Sequence, residues 1–204
     1  MKKLLGILVL GLLVCKTGFS VESLTEDQKG KIIVGKEAEK ALVREPERVI
    51  SGVKRIMGTD EKITVDNRNY SPQQISSLII KKLVNDATQK IGKIDQAVIT
   101  IPAHFSEEAR KATIKAGEEA GLKIEHIINE PSAAALFYTN ESENNDDGLI
   151  LVYDLGGGTF DVSIVDVKIS KKKVDVRTSQ GDQLLGGHDF TDKIIEIFNE
   201  AYKK

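Results

Sequence analysis

The chain has 204 residues, 40% hydrophobic and 29% charged with only 4 Pro, a composition of soluble globular domains that excludes collagen, a disordered tail and a multi-span membrane protein. Its single Cys excludes an internal disulfide and a cysteine-rich zinc cluster, so the core alone must hold the fold. The net charge is −2; Lys2, Lys3 and Lys16 lie in the first twenty residues, where there is no acid, which leaves 26 bases against 31 acids from Val21 onward, and that balance of −5 argues against a general nucleic-acid binder.

Residues 1–20 read as a leader. Two lysines precede an apolar stretch over 4–15, and small or polar residues follow through Ser20, the layout of a secretory signal. Twelve apolar residues are too few to span a bilayer. Gly18 and Ser20 place a cleavage site after Ser20. This implies export to the periplasm or a membrane, with Cys15 as an alternative lipid-attachment site; a cytoplasmic chain with a fortuitous apolar start is the other reading.

Ser71-Pro72-Gln73-Gln74 is a capping box with Pro at the first helical position, and Ile75, Leu78, Ile79, Leu83 and Ala87 recur at helical spacing until Gly92. Residues 97–101 are a β-rich run closed by Pro102 and predict a buried strand. Ser106 caps the next helix, whose packed face of Ala109, Ala112, Ala116 and Ala120 lets it lie close to a sheet until Gly121. A strand follows over 124–128, and Pro131 opens another helix. This alternation is an α/β layer with parallel strands. The polar, acidic run 140–148 is the best linker, dividing the chain into a leader (1–20), a first part (21–145) and a second (146–204). After it, 149–153 and 160–167 flank a glycine-rich turn as a β-hairpin, another strand is expected over 174–178, and Phe190, Ile194, Ile195 and Phe198 line a closing helix.

Asp154-Leu155-Gly156-Gly157-Gly158-Thr159-Phe160-Asp161 carries the strongest chemical signal. Three glycines allow positive φ and remove every Cβ, so backbone N–H groups can approach an anion as phosphate-cradling loops require. Asp154 and Asp161 could hold Mg²⁺ through its water shell, and the Thr159 hydroxyl could reach a phosphate oxygen. A glycine-rich hairpin with solvated aspartates is the bland alternative. His104, His126 and His188 lack ligand spacing and suggest no metal site.

The turn does not stand alone. Val53-Lys54-Arg55-Ile56-Met57-Gly58, Val98-Ile99-Thr100-Ile101-Pro102-Ala103-His104-Phe105, Ile127-Ile128-Asn129-Glu130-Pro131-Ser132 and Leu185-Gly186-Gly187-His188-Asp189-Phe190 accompany it. In this order and approximate spacing the chain resembles the seventy-kilodalton heat-shock chaperones of the DnaK type over residues 31–204. The resemblance implies an α/β, actin-like ATPase fold with ribonuclease-H-like cores, here as two partial lobes, and ATP or ADP with Mg²⁺ as cofactor. It implies that Lys54, Glu130 and Asp154 are catalytic, that Gly156, Gly157, Gly158 and Thr159 form a phosphate loop, and that Asp161 belongs to the metal's outer shell. It further implies that Gly186 and Gly187 contact nucleotide and that Pro102 and Arg110 relay nucleotide state. Taken on residue type alone, Lys54-Arg55 is a solvated basic pair and Glu130 a helix-start acid. His104 stands where the family carries Tyr, and His188 where acidic or small polar residues are common.

The first phosphate hairpin of such a fold, an Asp-Gly-Thr turn, is not found in residues 1–50. Family segments that contact adenosine and bind peptide have no counterpart. Two expectations follow: weak or lost ATP binding, and an uncovered strand edge over 97–101 that favours self-association or a strand-donating partner. The family also implies unfolded-protein clients and co-chaperones. The alternative function is a non-enzymatic, exported or membrane-tethered protein-interaction module, and a third is a sugar kinase or filament protein of the same superfamily.

Overall fold

A computed structural model describes residues 7–9, 24–26, 32–65, 68–141 and 147–203. The chain divides into two compact units, one comprising 1–101 and 105–128, the other 102–104 and 129–204. The division falls at 128/129, ahead of the expected 145/146 boundary, because the helix that Pro131 opens packs on the strands of the second unit. Of the polar run, Asn140 and Glu141 end that helix and Gly148 begins a strand, while 142–146 lie outside the described residues.

In the first unit, β1 (Ile7–Val9) pairs in parallel with β6 (Gln96–Ile101), and β6 neighbours β7 (Lys123–Asn129). Two small antiparallel ribbons accompany them, β2 (Leu24–Glu26) with β3 (Ile32–Val34) and β4 (Ile63–Val65) with β5 (Arg68–Tyr70). The short helix α1 (Lys36–Ala41) follows β3, and a 3-10 turn over Val53–Ile56 carries Lys54.

α2 (Pro72–Ile91) starts as the sequence dictates: the Ser71 hydroxyl accepts from the Gln74 N–H at 3.2 Å, and the Gln74 side chain accepts from the Ser71 N–H at 2.9 Å. Its apolar stripe serves two clusters. Ile75 and Ile79 join Ile50, Val53 and Val65, whereas Ile80, Val84 and Ala87 pack on Ile94, Ala97 and Leu122. α3 (Glu107–Glu119) is capped by the Ser106 hydroxyl, which accepts from the Ala109 N–H at 3.1 Å. The carboxyl of Glu108 is held below the usual range by a backbone N–H and the Ser106 hydroxyl. The small face of α3 is buried as expected at Ala109 and Ala116, and its closest approach is at Gly117, where an added Cβ would lie 2.5 Å from the Ile124 side chain.

β1 revises one expectation. Ile7–Val9 belong to the segment read as leader, yet they lie along Gln96–Val98, so with β7 on the other side that stretch of β6 is not an open edge. A chain that begins at Val21 loses this strand and leaves backbone N–H and C=O groups of β6 unpaired, a template for another chain. Light scattering at micromolar concentrations is expected to give residues 21–204 a larger mass than the full chain; equal masses would show that β1 does not protect the edge.

In the second unit β8 (Gly148–Leu155), β9 (Phe160–Lys168) and β10 (Lys173–Asp182) form an antiparallel sheet in the order β10-β9-β8. The hairpin is the one expected, and β10 is longer than 174–178. α4 (Glu130–Glu141) covers one face, where Ala135 meets Val165 and Val167, flanked by Ile150, Val152, Val174 and Val176. On the other face Leu149, Leu151, Tyr153 and Leu155 are exposed. α5 (Gly187–Tyr202) buries none of its residues, including Phe190, Ile194 and Phe198. No described helix is long and apolar enough to cross a membrane.

Candidate functional site

The covered face of the β8–β10 sheet changes character along its length. Valines and isoleucines under α4 give way, toward the glycine turn, to Asp154, Asp161, Ser163 and Ser179. Asp154 and Asp161 stand directly opposite each other in the β8–β9 register, so their side chains share a face. Asp161 is buried and Asp154 half-buried. Like charges facing each other across a ladder repel. A shared cation would relieve that repulsion, and two hard carboxylates suit a magnesium ion that keeps several of its waters.

The turn between these aspartates is closed by the Gly156 N–H donating to the Thr159 carbonyl at 2.9 Å. None of Gly156, Gly157 and Gly158 has positive φ, and an added Cβ would meet nothing closer than 3.5 Å at Gly156 and 3.4 Å at Gly157. The start of α5 lies against this loop. The Gly187 N–H donates to the Gly156 carbonyl and the His188 N–H to the Gly157 carbonyl, both at 2.9 Å. The Gly186 N–H donates to the Asp189 carboxylate at 2.7 Å. The Gly187 amide is thus engaged by the glycine loop, and the Gly186 amide by the Asp189 carboxylate. The His188 ring lies beside Gly157, with Nε2 3.4 Å from where a Cβ there would sit.

Glu130 opens α4, where an acid is favoured by the helix dipole. Pro102 is fully buried and, with Ala103 and His104, belongs to the second unit. Lys54, on its 3-10 turn, and Arg110, exposed on α3, belong to the first. The second unit therefore gathers Glu130, Asp154, Asp161, the loop 156–159, Gly186, Gly187 and Pro102.

Sequence reasoning missed the partner of Asp161. His104 Nδ1 lies 2.7 Å from Asp161 Oδ1, and its Nε2 lies 3.1 Å from the Ser179 carbonyl oxygen. The Ser163 and Ser179 hydroxyls pair at 2.7 Å beside them. Farther along β9 the buried Asp166 accepts from Arg177 Nε at 3.0 Å and raises the guanidinium's pKa by that bond and its charge. The His104–Asp161 pair spans 57 positions and leaves no local pattern.

Comparison with known proteins decides the family. The model of the family described as "Hsp70 protein" matches residues 59–204, well over half of the chain. The chain belongs to the Hsp70 family. "Chaperone protein DnaK" of Thermotoga petrophila and of Thermotoga maritima are each 46% identical to it over 178 residues, covering 87% of this chain. The DnaK of Thermotoga neapolitana matches to the same extent. The chain spans 29% of the length of these relatives. Hsp70 membership carries with it the actin-like ATPase fold, and the mixed α/β units with small sheets agree with part of such a domain. The matched region includes every second-unit residue named above and Arg110, whereas Lys54 lies ahead of it.

Proposed function

We propose that the chain is part of a DnaK-like ATPase domain that takes up a magnesium nucleotide by its phosphates at residues 156–159. Hsp70-family proteins bind ATP and ADP with Mg²⁺ in general, and the observation that carries the reading to this chain is the cross-strand pair Asp154–Asp161 flanking the glycine loop. In this reading Asp154 and Asp161 hold the metal's water shell, Thr159 and the loop amides meet phosphate oxygens, and bound magnesium supplies charge neutralisation for phosphoryl transfer. Glu130 and Asp154 orient the attacking water, Lys54 acts on the γ-phosphate, and Pro102 and Arg110 relay nucleotide state. Partners in the same reading are co-chaperones and unfolded-protein clients.

The chain as it stands supplies one glycine loop of this kind, so binding is weak and hydrolysis slow or absent. Calorimetric titration of Mg·ATP into the chain is expected to give saturable, magnesium-dependent binding with a dissociation constant above the low-micromolar range, lost in Asp154→Ala. Binding indifferent to magnesium or to that substitution would overturn the reading; binding at or below the low-micromolar range would overturn its weakness. A second reading, a non-enzymatic protein-interaction module, rests on the uncovered apolar face of β8 and is favoured if no nucleotide binds.

A further inference from the structure

We propose that His104 is a positioning residue that fixes the Asp161 carboxylate for the magnesium of a bound nucleotide. The inference rests on the nucleotide reading above and adds a residue to it that the resemblance treats as a departure from the family's Tyr.

The carboxylate is buried, with 10% of the Asp161 side chain exposed, and Oδ1 is engaged by His104 Nδ1 at 2.7 Å, the length of a strong hydrogen bond to an ionised acceptor. The far side of the ring is anchored too, since Nε2 meets the Ser179 carbonyl at 3.1 Å. A third bond holds the backbone that carries the ring: Gln183 Nε2 donates to the His104 carbonyl at 3.0 Å. The imidazole is therefore braced at two ring atoms and at its own main chain, between β9 and β10.

The sheet is shaped for this pair. Gly181 stands opposite Asp161 in the register, and a Cβ there would come within 2.8 Å of Asp161 Oδ1 and 2.2 Å of the Phe160 carbonyl. Only a residue without a side chain leaves Oδ1 where His104 can reach it. With Oδ1 committed to His104, Oδ2 is the oxygen left for a water of the metal shell, and the rotation of the carboxyl group is set. A freely rotating carboxylate opposite Asp154 would lose rotational freedom on binding the ion, a cost that the bracing by His104 removes beforehand. Partners that orient a ligating group in this way typically govern metal affinity by about 10–100-fold.

The test uses the full chain and a fluorescent ADP analogue, followed by anisotropy without magnesium (EDTA) and across a magnesium series. His104→Phe keeps the ring and removes both nitrogens; His104→Asn keeps a donor near the Nδ1 position and gives up the Ser179 contact. His104→Phe is expected to raise the magnesium midpoint by about tenfold while leaving binding in EDTA unchanged, and His104→Asn to restore most of the wild-type midpoint. A wild-type midpoint in His104→Phe overturns the proposal. A folded His104→Asn shifted as far as His104→Phe also overturns it, and that arm decides the matter if the Phe variant fails to fold. If the wild-type chain binds the analogue in neither condition, the nucleotide reading itself falls and takes this proposal with it; binding by the wild type separates the two failures.

Discussion

Gly58→Ala is expected to lower the melting temperature of the chain by about 10 °C, an effect far larger than the exchange of one hydrogen for a methyl group suggests. Two costs add. The backbone of Gly58 has φ of 81°, a left-handed conformation that costs an L-residue roughly 1–2 kcal/mol. The new methyl group would also lie 2.4 Å from the Ala109 N and 2.7 Å from its Cα. These are backbone atoms in the first turn of α3, pinned there by the Ser106 cap, so they cannot swing aside as a side chain would. Overpacking of this kind costs about 1–3 kcal/mol, and the sum, near 3–4 kcal/mol, is a large part of the 5–15 kcal/mol typical of a domain. Gly58 closes the 3-10 segment that carries Lys54 and abuts the helix that carries Arg110. Relief of the clash therefore has to move two residues assigned roles by the resemblance. Thermal unfolding followed by circular dichroism checks the shift; a change under about 3 °C would show that α3 yields easily.

What could be read in the sequence was what neighbouring residues decide. The Ser71 and Ser106 caps, the strand before Pro102 and the hairpin around the glycines all rest on local rules, and each stands in the structure at or within a few residues of its expected place. The glycine turn was legible because three consecutive glycines between two β-rich runs leave a compositional mark. What escaped depends on register. His104 reaches Asp161 and Ser179 only because β9 and β10 pair as they do, and nothing near residue 104 announces a partner 57 or 75 positions away. The polar run 140–148 misled as a boundary because polarity marks exposure; α4 belongs to the second unit through Ala135 on Val165 and Val167. Short apolar runs such as 4–15 suit a leader and a strand equally, and Ile7–Val9 pair with β6.

Gly186 and Gly187 look equivalent in the sequence, and the structure predicts opposite responses to alanine. At Gly186 φ is −168°, extended backbone open to any residue, so strain plays no part. Space does: a Cβ there would lie 2.5 Å from both the Gly157 carbonyl oxygen and the Gly158 N. At Gly187 the nearest atoms to an added Cβ are the Gly157 Cα at 3.7 Å and the Gly156 oxygen at 3.8 Å, ordinary contact. Gly186→Ala must therefore push the glycine loop from the start of α5 and break the bonds from Gly187 to Gly156 and from His188 to Gly157, whereas Gly187→Ala leaves them in place. Hydrogen exchange at the amides of Gly187 and His188 is expected to accelerate at least about tenfold in Gly186→Ala, a loss of about 1.4 kcal/mol of local protection, and to stay near wild type in Gly187→Ala. Nucleotide binding should follow the same order, weakened at least about tenfold by the first substitution and little by the second. Equal effects from the two variants would mean that the loop is not held by α5, and that the amides of both glycines serve the nucleotide directly.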